Sequence, residues 1–195
     1  MTPSIHSLPP SLRGLSVATL AATALLSACA MSGGRMSATR VDNAALPEPV
    51  RVPAGATQRM VATGVGEITY ECRDKAGAAG QTEWVFVAPV ATLVAGSDRK
   101  AVGKYYGGPT WESMDGSKIT GKQVAVAPAP GTGNIPLQLV RTEPAMGAGA
   151  MQGVTYIQRV NTKGGVAPSM ACDATSKGQR RQVPYEADYV FYGGM

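Results

Sequence analysis

The sequence predicts an all-β domain, either an antiparallel sandwich or a partly closed barrel of about eight to ten short strands. Three observations lead there. Beyond residue 50 the apolar residues recur with a period of two and not with the helical 3.6. The 195-residue chain carries 24 Gly and 14 Pro, residues that punctuate short strands more readily than they sit inside helices. No run of twelve residues in that region shows a helical pattern.

The N-terminus is a separate matter. His6 and Arg13 precede the apolar run "GLSVATLAATALLSA", which ends at Cys29. A charged start, an apolar centre and a small-residue end predict a secretory signal over residues 1–28. The run is shorter than a membrane-spanning helix needs. Leu26-Ser27-Ala28-Cys29 is similar to the bacterial lipoprotein box, in which an aliphatic residue and two small ones precede the Cys that becomes the acylated N-terminus. Buried acyl methylenes contribute about 0.8 kcal/mol each, enough in two or three chains for stable membrane attachment. An ordinary signal with an incidental Cys is the alternative. Ala30 in place of an Asp favours the outer membrane. Residues 29–49, rich in Ala, Ser, Gly and Met, read as the lipidated Cys and a flexible tether, with one domain over 50–195.

Within the domain, "GEITYECR" alternates, and "EWVFVAPVATLV" is a nearly continuous apolar run split by Pro89, as for a buried strand that bends. "SKITGKQVAVAPAP", "IPLQLVRT" and "GVTYIQRVNT" follow in the same style. Asp115-Gly116 signals a two-residue hairpin turn. That turn would set Trp111 opposite Thr120 and Glu112 opposite Ile119, with Trp111 and Glu112 on opposite faces. The last stretch, "VPYEADYVFYG", places Tyr185, Tyr189 and Phe191 on one face and Asp188, Val190 and Tyr192 on the other, as a strand that closes the sheet.

Three Cys in an exported chain require an account. With Cys29 acylated, Cys72 and Cys172 remain, and an oxidising compartment predicts a disulfide between them. Buried free thiols or half of a metal site are the alternatives. Net charge is +5, thinly spread, with no basic stripe of the kind that follows phosphates, so a nucleic-acid partner is not expected.

His6 is the single His, and it falls in the predicted signal. The domain therefore lacks the parts for Ser-His-Asp or Cys-His catalysis and for His-liganded zinc. No cofactor or metal is expected. Glu112 and Asp115 are a carboxylate pair of the glycosidase type, against the plainer reading of a solvated hairpin. Ser97-Asp98-Arg99-Lys100 matches S-x-x-K but lies in a turn, without the companion motifs. Residues 147–153, "GAGAMQG", lack the βαβ context of a dinucleotide loop. The Met residues are scattered and suit packing better than copper.

Aromatic side chains around a Gly-rich bend make the better binding case. The candidate ligand surface comprises Tyr105, Tyr106, Trp111, Glu112, Arg159 and Asn161, with Arg159 and Asn161 sharing one strand face by alternation.

The blocks "GEITYEC", "EWVFVAPVATL", "GGPTWESMDGSKITGK", "IPLQLV", "GVTYIQRVNTKGGVAPSMAC" and "VPYEADYVFYG", taken together over about residues 50–195, resemble the domain of unknown function 3455 family. The resemblance implies a secreted or lipoprotein-like β-rich domain with a Cys pair and no established activity. Family members often carry a His shortly before the G-P-T-W block, where this chain has Tyr105-Tyr106. The expectation is an outer-membrane lipoprotein acting as a non-enzymatic binding or structural module of the envelope. Its partners would be membrane lipid through Cys29 and an envelope glycan or protein. The rival expectation is a carboxylate-dependent hydrolase acting on envelope glycan.

Overall fold

The structure is a computed structural model and describes residues 40–194; the predicted signal and Cys29 lie outside the described residues. The domain is all-β and antiparallel, as predicted, with eight strands in one sheet. They are β1 (Thr57–Asp74), β2 (Thr82–Ala95), β3 (Lys100–Tyr106), β4 (Thr110–Ser113), β5 (Lys118–Ala127), β6 (Leu137–Thr142), β7 (Val154–Gly164) and β8 (Arg180–Gly193). Each strand pairs with the next, and β8 returns to pair with β1, so the sheet closes into a ring instead of splitting into two layers. The ring is irregular, because β1 has 18 residues and β4 only 4.

Alternation along β8 explains the two sides of the wall. Tyr185, Ala187, Tyr189 and Phe191 point inward and join Trp111, Leu93, Ile119 and Ile157 in a core that fills the ring. Val190 and Tyr192 point outward, yet they too are buried. What covers them is the segment before β1. Residues 40–49, assigned to the tether by composition, pack against the outside of the sheet, through 3-10 turns at Asn43–Ala45 and Glu48–Val50. Val50 is fully buried and Val52 nearly so, against Leu139, Tyr156, Val160 and Val190. Burying a Val contributes about 1.5–3 kcal/mol.

A polar staple holds this strap in register. The buried Gln158 donates to the Val50 carbonyl at 2.6 Å and to Asn43 Oδ1 at 2.9 Å, and accepts from the Tyr192 hydroxyl at 2.7 Å. Asn43 in turn exchanges two hydrogen bonds with the Val52 backbone. Among the described residues, no buried side-chain polar atom of the strap lacks a hydrogen-bond partner.

At the other end of the ring, β1 and β2 run on past the last pairing of β2 with β3, Val90 with Tyr106. The chain between β7 and β8 crosses this extension and is fastened to it. Cys72 and Cys172 form the predicted disulfide, across 100 residues of sequence. The Trp84 indole donates to the Met170 carbonyl, the Thr82 hydroxyl donates to the Cys172 carbonyl, and Lys177 pairs with Asp74.

The β4–β5 hairpin corrects the predicted register. The Gly116 N–H donates to the Ser113 carbonyl, Ser113 N–H donates to the Ser117 carbonyl, and Gly116 has φ +85°. The loop therefore has three residues, Met114 to Gly116: a turn followed by one left-handed residue, which Gly adopts without strain. Trp111 pairs with Ile119, not Thr120, and Glu112 pairs with Lys118, not Ile119. Both Trp111 and Ile119 consequently face the core, while Glu112 lies on the other face as expected.

Candidate ligand-binding site

The six residues singled out in the sequence divide into three places. Tyr105 and Trp111 are cross-strand partners on β3 and β4, and both point into the ring. Their rings stack at 4.8 Å, and Tyr189 packs against both at 4.8 and 5.7 Å. Trp111 is fully buried, so it presents no face to solvent; Tyr105 stands between it and the end of the ring. The Trp111 indole N–H has no hydrogen-bond partner among the described residues.

Tyr106 and Glu112 point outward. The Tyr106 hydroxyl donates to Glu112 Oε2 at 2.8 Å, and Lys118 Nζ lies 3.5 Å from the same oxygen. The Tyr106 hydrogen bond, then the neighbouring Lys118, holds the Glu112 carboxyl below its ordinary value. This is a surface cluster on the wall, separate from the aromatic interior.

Arg159 and Asn161 do not share a face, contrary to the alternation argument. Asn161 has φ +50°, and the β7–β8 register slips between Val160 and Lys163, where two residues oppose one. This bulge turns Asn161 outward, where it donates to Asp188 Oδ2 at 2.8 Å. Arg159 sits two residues after the inward-facing Ile157 and points in.

Tyr105 and Arg159 come together at one end of the ring. There a cavity of about 630 Å³ opens, walled by Ile68, Tyr70 and Phe86 from the β1–β2 pair, Gly107 to Pro109 from the β3–β4 turn, Val126 and Gln123 from β5, and Pro136 and Gln138 near β6. Phe86 is half exposed and meets Tyr70 edge to face at 6.2 Å. The Tyr70 hydroxyl donates to the Gly165 carbonyl at 2.7 Å. Burial pushes the Tyr70 and Tyr105 phenols up, with Arg159 pulling the other way, and pushes Tyr185 up to about 12. At neutral pH these hydroxyls are uncharged donors and acceptors.

Sequence reasoning passed over Ile68, Tyr70, Phe86 and Gln138. The signal for Phe86 was present in "EWVFVAPVATLV": Pro89 marks where β2 bends away from β3, and the residues before it lose their neighbouring strand. The other three had no local mark.

Asp115 serves the fold. Its Oδ1 accepts from the Ser117 hydroxyl at 2.6 Å and the Ser117 N–H at 2.9 Å, and its Oδ2 accepts from the Ala150 N–H at 2.8 Å, so it pins the loop before β7 to the hairpin. Those hydrogen bonds, the Ser117 hydroxyl first, bring its carboxyl from 3.8 to about 2. Arg73 and then Arg180 do the same for Glu71, from 4.5 to about 2. A carboxylate whose folded value lies below its unfolded one stabilises the fold above the unfolded value and loses that contribution as pH falls through the folded one. The denaturation midpoint should therefore decline between about pH 4.5 and pH 2. In an Asp115→Asn, Glu71→Gln variant the slope in that window should flatten, and an unchanged slope would show that neither group contributes.

Comparison with curated proteins and with solved structures finds no match. One family model matches residues 53–100 and 94–193, which together span the ring from the end of the strap to the last residue of β8. The chain belongs to the family described as protein of unknown function (DUF3455).

Proposed function

We propose that this protein is an outer-membrane lipoprotein, anchored through Cys29, whose barrel is a non-enzymatic binding module of the cell envelope, with the open end of the ring as its ligand site. The observation that carries the reading is the cavity itself. It combines apolar and aromatic walls with a few convergent polar groups, Arg159, Gln123 and Gln138, on a rigid, disulfide-fastened frame. Small-molecule sites have this composition, and this volume falls within their usual range of about 300–1,000 Å³. The signal-like N-terminus and the lipoprotein box support the address.

The carboxylate-hydrolase reading draws less support. A glycosidase needs one carboxylic acid with a raised pKa to protonate the leaving group. The hydrogen bonds at Glu112 and Asp115 shift both carboxyls the other way.

A thermal-shift and Trp-fluorescence screen tests the binding reading, against peptidoglycan fragments, lipopolysaccharide, sugars, small organic acids and divalent metals. Trp84 is tied to the loop that crosses the β1–β2 extension, and Trp111 stacks on Tyr105, so ligand at the opening should register in the emission. The expected result is a saturable shift with one class. No shift with any class would overturn the assignment.

A further inference from the structure

Resting on the binding reading above, we propose that the cavity at the open end of the ring selects a monoanion, of carboxylate type, carried on an apolar body.

The charge pattern of the wall leads there. Two cations, Lys122 and Arg159, line the cavity, and no Asp or Glu does. Lys122 already has a partner, Glu143 Oε1 at 3.3 Å. Arg159 differs. Its Nε and Nη2 both donate to the Pro136 carbonyl, at 3.2 and 3.0 Å, and among the described residues no carboxylate lies within ion-pair distance of it. The guanidiniums that do pair with a carboxylate, Arg73, Arg99 and Arg180, are exposed and do not line the cavity.

The Pro136 carbonyl does more than satisfy two N–H groups. It fixes the plane of the guanidinium, which leaves the remaining N–H donors, those of Nη1 and one of Nη2, for another acceptor. A planar fork held in place suits the two oxygens of a carboxylate better than a lone hydroxyl. Around it stand Tyr70, Phe86, Tyr105 and Ile68, which supply apolar surface and neutral hydroxyls but no competing negative charge. A cationic ligand would meet Arg159 with no carboxylate in the wall to offset it, and like charges placed together are rejected.

The shared chemistry, an anionic head on an apolar body, comes in acyl and aryl forms, so both are tested. The chain carrying Cys29→Ala is titrated by calorimetry with decanoate, 4-phenylbutyrate, their alcohols decanol and 4-phenylbutanol, and the cation 4-phenylbutylamine. At least one acid should bind saturably, about ten-fold or more tighter than its alcohol, with the amine weaker still. Which acid wins tells acyl from aryl. Arg159→Gln should remove the preference for the acid and leave the alcohol's affinity in place, and Arg159→Lys should restore part of it. Should Arg159→Gln fail to fold, the acid, alcohol and amine series on the Arg159 chain still decides. An alcohol or amine that binds as tightly as its acid would overturn the anionic class while leaving the site standing. No binding by any of the five probes would overturn the site as well.

Discussion

Trp111→Ala should cost about 3–5 kcal/mol of folding stability, the usual penalty for truncating a large buried aromatic. Trp111 is fully buried, stacks on Tyr105 at 4.8 Å and meets Tyr189 at 5.7 Å, so its removal hollows the centre of the inner core. No hydrogen bond is lost with it, since among the described residues the indole N–H has no partner. A domain of this size has a total stability of roughly 5–15 kcal/mol, so the variant should lose a substantial part of it. Urea denaturation followed by far-UV circular dichroism reads the loss as a lower midpoint. A loss under about 1 kcal/mol would contradict that packing. The sequence expectation that Trp111 supplies a ligand-facing surface thus becomes a different experiment: its indole supports Tyr105 from behind, and a defect in binding would follow from a defect in folding.

Removing the disulfide should have a comparable effect by another route. Cys72 and Cys172 close a loop of 100 residues, for which the chain-entropy account gives up to about 4.7 kcal/mol, acting on the unfolded chain. The folded state loses something too. The crossing chain between β7 and β8 is also held by the Trp84–Met170 and Thr82–Cys172 hydrogen bonds and the surface pair Lys177–Asp74. A solvent-exposed ion pair of that kind contributes little. The Cys72→Ala, Cys172→Ala variant should therefore unfold at distinctly lower denaturant and should be cut by protease first between β7 and β8. Identical midpoints with and without reductant, with two titratable thiols released by the reductant, would show that the bridge adds nothing to stability.

Much of the architecture can be read directly from residue order. Tyr185, Tyr189 and Phe191 alternate with Val190 and Tyr192, and the ring puts the two sets on the two sides of its wall. The odd Cys count leads to the Cys72–Cys172 bridge. The misses share a cause: one backbone residue in a left-handed conformation reverses every face assignment beyond it. Gly116 turned a two-residue loop into a three-residue one and moved Trp111 opposite Ile119. Asn161 did the same on β7 and separated itself from Arg159. The strap over residues 40–49 is hidden for another reason. Its composition is that of a linker, and residues distant in sequence, Gln158, Tyr156 and Val190 among them, make it worth burying. Likewise the cavity draws on six of the eight strands and their connections, and no single stretch of sequence contains more than a corner of it.

The strap has a geometric consequence. Val41 N–H is bonded to Gln58 at the start of β1, so the chain reaches the ring at the pole where β1 begins and β8 ends. The cavity lies at Ile68 and Tyr70, roughly 35 Å further along the same strand at about 3.3 Å per residue. The chain thus joins the ring on its outer face and at the pole away from the cavity, so the segment that covers Val190 and Tyr192 leaves the mouth of the ring unobstructed.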